Sequence, residues 1–193
     1  DDLGLDYVEA DDEAAFYGPK LDVQIKNVYG KEDTLITIQI DFAAGESFNM
    51  VYIDENGVRQ HPFVIHRSSI GCYERTLAIL IEKYAGAFPL WMCPTQVKVL
   101  PITDRTLDYA KNVADKLRAQ GLRAEVDSRN EKIGYKIREA KLEKVPYVLV
   151  VGDAEERDGT VNVNTRGKEE KVTMPVDEFI AKAADEDKRK VIF

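Results

Sequence analysis

The sequence predicts an α/β protein of two domains, the first built on an antiparallel sheet and the second on a mixed sheet with helices. Two observations lead to this prediction. Residues 20–66 alternate polar and apolar side chains around turn residues, whereas residues 96–151 alternate short apolar runs with amphipathic helical runs. Between them stands FPLWMCP, a rigid apolar stretch that we interpret as a packed crossover. The predicted domains are therefore residues 1–92 and 93–193.

The first domain begins with predicted strands. LDVQIKNV and DTLITIQIDF flank a turn at residues 29–31, which indicates an antiparallel pair. MVYIDENGVRQHPFVIHR contains Asn56-Gly57, and both residues tolerate the positive φ of a hairpin turn. Apolar side chains then recur at helical spacing, which predicts a helix over residues 69–84 that is followed by Gly86.

The second domain has the order strand, helix, strand, helix, strand, which indicates parallel strands joined by right-handed crossovers. The five runs are QVKVLPI, LDYAKNVADKLRAQG, LRAEVD, KIGYKIREAKLEK and YVLVVG. A last hairpin, with strands TVNVNTR and EKVTMPV and a turn near Asp158-Gly159, precedes a helix that starts at Val176.

Charge is spread unevenly along the chain, whose formal net charge is −8. Residues 1–92 hold 16 acidic and 7 basic residues, a balance of −9, and residues 93–193 hold 19 acidic and 20 basic residues, a balance of +1. Seven of these bases fall between Arg123 and Lys144, interleaved with five acids. This pattern fits a local basic surface for nucleic acid and a solvated mixed-charge face equally well.

Cysteine usage and hydropathy bound the environment of the protein. Cys72 and Cys93 lack a CxxC spacing and have apolar neighbours, so we expect reduced, buried thiols rather than a disulfide. No apolar run approaches the roughly 20 residues that span a bilayer, and the acidic start is the opposite of a signal peptide. We therefore expect a cytoplasmic protein with no membrane partner.

The junction VIHRSSIGCYERTLAILIE, where the last strand of the first domain meets its helix, is the clearest candidate site. A helix that lays Arg75 across the sheet can present a guanidinium to a phosphate or carboxylate. Spacing alone slightly favours a surface pair of Arg75 with Glu74 or Glu82. One histidine, His66, cannot hold zinc by itself, since zinc takes three or four ligands. Lys20, in AFYGPK, suits anion binding or an ordinary turn.

Taken together, these segments resemble the threonyl-tRNA synthetase family of class II aminoacyl-tRNA synthetases over nearly the whole chain. AAFYGPKLDVQI and TIQIDF resemble strands of that family's active site, and VIHRSSIGCYERTLAILIEKYAGAFPLW resembles its motif 3. The His66-Arg67 prefix and the AGAFPLW ending narrow the match to threonine. RNEKIGYKIREAKLEKVPYVLVVGDAE resembles the anticodon-binding domain shared by the threonine, proline, histidine and glycine enzymes, with wording closest to threonine.

The resemblance implies a site for threonine and ATP with magnesium in the first domain. Arg75 would face the ATP phosphates as the chief electrostatic catalyst, and Lys20 would approach the threonine carboxylate or the activated phosphate. Tyr17, Gln39 and Gly71 would line the same site. Near ATP, Asp33-Thr34 replaces a Trp-Gln pair found in many members.

The resemblance also implies a zinc ion, with His66 as one of three protein ligands, that binds the amino and hydroxyl groups of threonine. The other two ligands and motifs 1 and 2 would precede Asp1. We therefore expect a C-terminal fragment that lacks zinc, is inactive alone and is doubtful as a dimer, whereas the complete enzyme would be a homodimer.

In the second domain the resemblance implies recognition of tRNA(Thr) through its anticodon, whose unpaired bases expose their edges to polar side chains. Asn164 stands where some members have an anticodon-binding arginine. Lys144 stands at a helix position that is often basic in relatives, and a lysine there keeps the charge but lacks the guanidinium fork. The implied anticodon-binding residues are Asn130, Arg138, Lys144, Glu155 and Arg166.

Two other hypotheses remain at this point. The chain could be a stand-alone RNA-binding or regulatory paralogue built from synthetase parts, which the sequence preceding Asp1 would decide. A proline or glycine enzyme would share the anticodon-binding domain, but the residues around His66 disfavour it.

Overall fold

The structure is a computed structural model that describes residues 4–192, and it divides into two compact units between Lys83 and Tyr84. The segment before Cys93, which the sequence suggested as a crossover, is therefore part of the second unit. Leu90 there is fully buried, which agrees with a packed segment rather than a loose linker.

The first unit is an antiparallel β structure followed by a helix that ends at the boundary. Its elements are β1 (Lys20–Lys26), β2 (Glu32–Asp41), α1 (Ala44–Ser47), β3 (Tyr52–Ile53), β4 (Arg59–Gln60), β5 (Val64–Arg67) and α2 (Tyr73–Tyr84).

The predicted strand pairings of the first unit are confirmed. Strand β2 lies between β1 and β5 and is antiparallel to both, and β3 and β4 pair as a separate hairpin around Asn56-Gly57. Helix α2 begins at Tyr73, later than predicted, because Gly71 just before it has a φ of 67°. The four-residue helix α1 was not predicted, since one turn is too short to show a period.

A β-bulge keeps the polar side chains of β1 and β2 on one face. The register shifts between Val23 and Gln24, so that Val23 lies opposite Ile36 and Gln24 lies opposite Thr34. Because paired residues share a face, the polar side chains of the two strands lie on the same face of the sheet both before and after the bulge. The apolar face is largely open, with Leu21, Val23, Ile40 and Ile65 all exposed.

The second unit is a three-layer α/β structure with a five-stranded mixed sheet. Its elements are β6 (Val97–Pro101), α3 (Leu107–Ala119), β7 (Ala124–Val126), α4 (Ile133–Leu142), β8 (Tyr147–Val151), α5 (Asp153–Asp158), β9 (Thr160–Thr165), β10 (Lys171–Pro175) and α6 (Val176–Lys188), with short 3₁₀ turns at Leu90–Met92 and Asp104–Thr106.

The sheet of the second unit has the order β10-β9-β8-β6-β7. Strands β7 and β8 both run parallel to β6, which confirms the predicted parallel arrangement, and β9 and β10 complete an antiparallel edge. Helices α3 and α6 cover one face around Leu149, Val163 and Phe179, and α4 covers the other around Leu100 and Val148. Every buried apolar side chain in the described residues belongs to this unit.

Two predictions need correction. Asp158-Gly159 ends helix α5, where Gly159 adopts a left-handed C-cap, and the turn of the last hairpin lies at Arg166 and Gly167. Both cysteines are free, as expected, and Cys93 is buried. Cys72 is exposed rather than buried, because it comes just before α2, a helix that buries none of its residues. Within residues 4–192, no helix is long and apolar enough to cross a membrane.

Candidate functional site

Four predicted site residues form a cluster on the polar face of the first sheet. Lys20 of β1 lies opposite Gln39 of β2, and Gln39 lies opposite His66 of β5, so the three occupy one row across the strands. Tyr17 donates its hydroxyl to Gln39 Oε1 at 2.8 Å, and its ring lies edge-on to His66 with centroids 6.1 Å apart. We call these residues the four-residue cluster.

Tyr17 reaches the sheet because Gly18 allows a close approach of two backbones. Gly18 has a φ of 155°, and a Cβ there would lie 2.0 Å from the carbonyl oxygen of Ile40. The turn is held by the Gly18 amide, which donates to Ala15 O at 3.1 Å. Any other residue would push the turn away from β2, so glycine is needed to place Tyr17 beside Gln39.

Two carboxylates fix the charges around the cluster. Lys20 Nζ lies 2.8 Å from Asp22 Oδ2, and this hydrogen-bonded pair raises the pKa of Lys20 and lowers the pKa of Asp22. Asp22 also accepts a hydrogen bond from the Thr37 hydroxyl at 2.7 Å. The lysine therefore remains a cation, held in place by its neighbour two residues along the strand.

The second carboxylate, Asp41, is buried behind His66. Its Oδ2 lies 3.0 Å from His66 Nε2, and its Oδ1 accepts the amides of Ala43 and Ala44 at 2.9 and 2.8 Å. The bond to His66, helped by these amides and opposed by burial, lowers the pKa of Asp41. Asp22 and Asp41 were not predicted as site residues, although they share the strand alternation of Lys20 and Gln39 and could have been found by it.

Arg75 lies apart from the four-residue cluster, at the other end of β2. Its Nη1 donates to Thr34 O at 3.2 Å, and about 16 Å of strand separates Thr34 from Gln39. Among the described residues Arg75 forms no ion pair with Glu74 or Glu82, so the surface pair favoured by spacing is absent.

A cleft of about 440 Å³ opens between the β1–β2 turn and helix α2. Arg75, Ala78 and Glu82 line it from the helix, and Asp33 and Thr34 line it from the strand. Asp33-Thr34, the pair that differs from the Trp-Gln of many family members, thus lies directly beside Arg75, the predicted phosphate-binding arginine.

Gly71 sets how closely α2 approaches the sheet. A Cβ at this position would lie 2.4 Å from Leu35 O, and the φ of 67° is one that other residues rarely adopt. Ser68 supports the turn by accepting the Gly71 amide at 3.2 Å. Gly71 therefore has a structural reason to be glycine, and through α2 it also places Arg75.

The described residues do not by themselves form a zinc site. His66 has the carboxylate of Asp41 as its neighbour, and no group of three histidine, cysteine, aspartate or glutamate side chains within residues 4–192 could hold a metal ion. Zinc requires three or four ligands.

We expect the purified chain to retain less than one zinc ion per molecule after dialysis, because His66 and Asp41 supply too few ligands. Elemental analysis of the chain and of a His66→Ala control should give the same low zinc content. One tightly held zinc per chain, lost in the His66→Ala control, would contradict this expectation.

The five predicted anticodon-binding residues do not form one cluster in the second unit. Asn130 follows β7 and Glu155 follows β8, so both lie at the carboxyl edge of the parallel strands. Lys144 and Arg166 lie at the opposite edge, and Arg138 is exposed on α4 between the two edges. Glu155 Oε2 accepts the Gly152 amide at 2.9 Å and caps α5.

Lys144 and Arg166 both contact backbone carbonyls. Lys144 Nζ donates to Ala85 O, and Arg166 donates to Lys144 O and Phe88 O, each at 2.6 Å. Asn164 donates to Val148 O at 3.3 Å. These bonds give Lys144 and Arg166 a role in holding the segment around Phe88, and their role toward tRNA stays a prediction.

The basic stretch between Arg123 and Lys144 is not one open surface. Arg123 donates to the carbonyls of Cys93 and Trp91, Arg129 binds the carboxylate of Asp127, and Lys136 is buried. The exposed cations of the stretch that make no hydrogen bond or ion pair with other described residues are Lys132, Arg138 and Lys141.

Comparison with known proteins assigns each unit to a domain. Residues 2–84 match the tRNA synthetase class II core domain of the G, H, P, S and T enzymes, and residues 96–186 match the anticodon binding domain. A class II core followed by an anticodon-binding domain defines a class II aminoacyl-tRNA synthetase. Threonine–tRNA ligases of Clostridium perfringens and Clostridium botulinum are 61% and 60% identical over 92% and 96% of this chain. The chain belongs to the threonyl-tRNA synthetase family.

The chain spans about 28% to 29% of the length of these two curated relatives. Threonine–tRNA ligase 1 of Bacillus subtilis is 53% identical over 98% of the chain, which covers 30% of that protein. What the relatives do as whole proteins is therefore a proposal for this chain.

Solved structures show the same fold. The RNA binding domain of threonyl-tRNA synthetase from Cryptosporidium parvum Iowa II has a TM-score of 0.75 and 34% identity, covering 90% of this chain and 44% of that one. Prolyl-tRNA synthetase from Cryptosporidium parvum also has a TM-score of 0.75, at 21% identity, covering 94% of this chain and 40% of that one. The second likeness supports the fold alone.

Proposed function

We propose that this chain acts in a threonine–tRNA ligase, which activates threonine with ATP and transfers it to tRNA(Thr). The observation that carries the proposal is the row of Lys20, Gln39 and His66 with Tyr17, in a chain whose two units match a class II core and an anticodon-binding domain. Class II synthetases in general use ATP with magnesium. Homodimerisation of the complete ligase is part of the proposal and rests on the resemblance.

The four-residue cluster can bind a small amino acid by its charged and polar groups. The Lys20 ammonium suits the carboxylate of the amino acid or the α-phosphate of its adenylate as a point charge. Tyr17 and Gln39 add a hydroxyl and an amide beside it. We propose that this cluster holds threonine while the carboxylate of threonine attacks the α-phosphorus of ATP and pyrophosphate leaves.

Arg75 supplies the second part of the proposed site. Its guanidinium lines the cleft beside α2, where it can face the β- and γ-phosphates while pyrophosphate leaves. A fixed positive charge there offsets the negative charge that builds up on the leaving group.

Threonine-dependent exchange of pyrophosphate into ATP tests the activation step directly. A ligase of the relatives' full length that carries these residues should catalyse exchange with threonine and not with valine, which lacks the hydroxyl. Exchange that does not depend on threonine would refute the proposed function, and absence of exchange together with tight tRNA binding would favour an RNA-binding role instead.

We expect Arg138→Ala to weaken binding of tRNA(Thr) by about tenfold, with a smaller change for an unrelated tRNA. The reason is that Arg138 is exposed on α4 and makes no hydrogen bond or ion pair with the rest of residues 4–192, which leaves its guanidinium free to bind a base. Filter binding or anisotropy at two salt concentrations measures both affinities.

A matched control is Arg189→Ala, which removes an exposed arginine at the end of α6 that pairs with Asp185 at 3.1 Å. The control should bind both tRNAs like the wild type. Equal losses for the two tRNAs with Arg138→Ala would show a phosphate contact without base recognition and would contradict this role.

A further inference from the structure

A second cleft, of about 270 Å³, lies in the second unit at the carboxyl ends of β6 and β7. Its walls come from the segments that follow these strands and from the first turns of α3 and α4. In open α/β sheets this edge, where helices begin beside the ends of parallel strands, is where ligands bind. We call it the carboxyl-edge cleft.

A buried lysine forms one wall of the carboxyl-edge cleft. Lys136 is only 4% exposed, and its Nζ donates to Asp127 O at 3.0 Å. No carboxylate in the described part of the chain forms an ion pair with it, since the Asp127 carboxylate is bound by Arg129 at 2.9 and 2.6 Å. An ammonium has three N–H donors, and Lys136 Nζ makes one hydrogen bond to the described residues while it lines the cleft.

The N-terminus of α4 lies beside the same cleft. This ten-residue helix begins at Ile133, and the amides of Tyr135 and Lys136 donate to Lys132 O. The helix therefore contributes the positive end of its dipole, which favours an anion, rather than amides that line the cleft. Ser128 and Asn130 lie in the loop just before it and also line the cleft.

We propose that the carboxyl-edge cleft binds a phosphodiester group, held by Lys136 and the Ser128 hydroxyl beside the N-terminus of α4. In the protein this group would be a backbone phosphate of the RNA segment that Asn130 contacts, so the inference rests on the proposed recognition of tRNA. Two exposed carboxylates, Asp104 and Glu131, also line the cleft. They disfavour a dianion and favour the single charge of a phosphodiester.

Salt dependence of tRNA binding tests the contact, with Lys136→Met as the variant because methionine keeps the apolar stem and removes the charge. Affinity for tRNA(Thr) and for an unrelated tRNA should fall about tenfold. The slope of log K against log salt should become shallower by about 0.7, the share of one phosphate. Lys188→Met, an exposed lysine of α6, should change neither quantity.

A merely structural role for Lys136 would lower the affinity and leave the slope unchanged, and that result would overturn the proposal. Amide spectra of each variant check that it is folded. If Lys136→Met does not fold, Ser128→Ala gives the second variant, because it removes the other proposed contact and leaves the buried lysine in place; unchanged affinity for tRNA(Thr) and for dimethyl phosphate there would also count against the proposal.

A titration with dimethyl phosphate separates this inference from the proposed function. In the wild-type chain the amide signals of Ser128, Asn130 and Lys136 should shift at millimolar dimethyl phosphate, and the shifts should disappear in the variant. If the chain binds no tRNA but these shifts occur, tRNA recognition fails and the phosphate site stands. If these amides do not move in the wild type, the phosphate site is refuted.

Discussion

In a ligase of the relatives' full length, replacing Arg75 by alanine should lower threonine-dependent ATP–pyrophosphate exchange by a factor of about 10² to 10³. Arg75 is exposed in a cleft of about 440 Å³, and the hydrogen bond it makes there is to Thr34 O at 3.2 Å. Its guanidinium is thus held beside the strand and remains open to a phosphate. The loss should appear mainly in kcat, because the charge that Arg75 offsets develops as pyrophosphate leaves.

Two further variants give this prediction its control. Arg75→Lys keeps a positive charge without the planar fork, so its rate should fall between those of the wild type and Arg75→Ala. Arg59→Ala removes an exposed arginine from the short strand β4, which does not line the cleft, and should leave exchange unchanged. An exchange rate for Arg75→Ala equal to that of Arg59→Ala would contradict the catalytic role.

Leu149→Ala should reduce the stability of the second unit by about 2 to 5 kcal/mol. Leu149 lies in β8, the middle strand of the mixed sheet, and its side chain is 0% exposed in the larger apolar cluster. Truncation there removes apolar contacts and leaves a cavity that the surrounding strands cannot fill. Fluorescence of Trp91, the single tryptophan, reports unfolding of this unit in a denaturant titration.

The matched control is Leu142→Ala, the same substitution at the end of α4 where the side chain is 66% exposed. Its effect on the free energy of unfolding should stay within about 0.5 kcal/mol. Equal losses at the two leucines would mean that β8 is not the centre of the core.

The alternation of strands and helices in the second unit could be predicted from hydrophobic period, because its core is built from contiguous apolar runs such as YVLVV in β8. The order of the strands in the sheet was not predicted. Helix α5 escaped prediction for the converse reason. Its sequence DAEERD carries no apolar stripe, and it forms because Glu155 caps the Gly152 amide and Gly159 accepts a left-handed conformation.

The positions of site residues relative to one another depend on long-range contacts, which could not be predicted from the sequence. That Lys20, Gln39 and His66 share one row depends on strand register, which a bulge between Val23 and Gln24 sets. Lys136 belongs to a charged run that is typical of a solvated face, and it is buried because its position in α4 turns it toward the end of β7. Local composition predicts neither the strand register nor the orientation of Lys136.

Recognition of the anticodon by the second unit can be measured by binding of the chain to two versions of one tRNA. The two RNAs are tRNA(Thr) and the same molecule with its anticodon bases exchanged, so that shape and backbone charge are equal. Exchanging the anticodon bases should weaken binding by about tenfold or more, because the base edges carry the discrimination. Equal affinity for the two RNAs would contradict it.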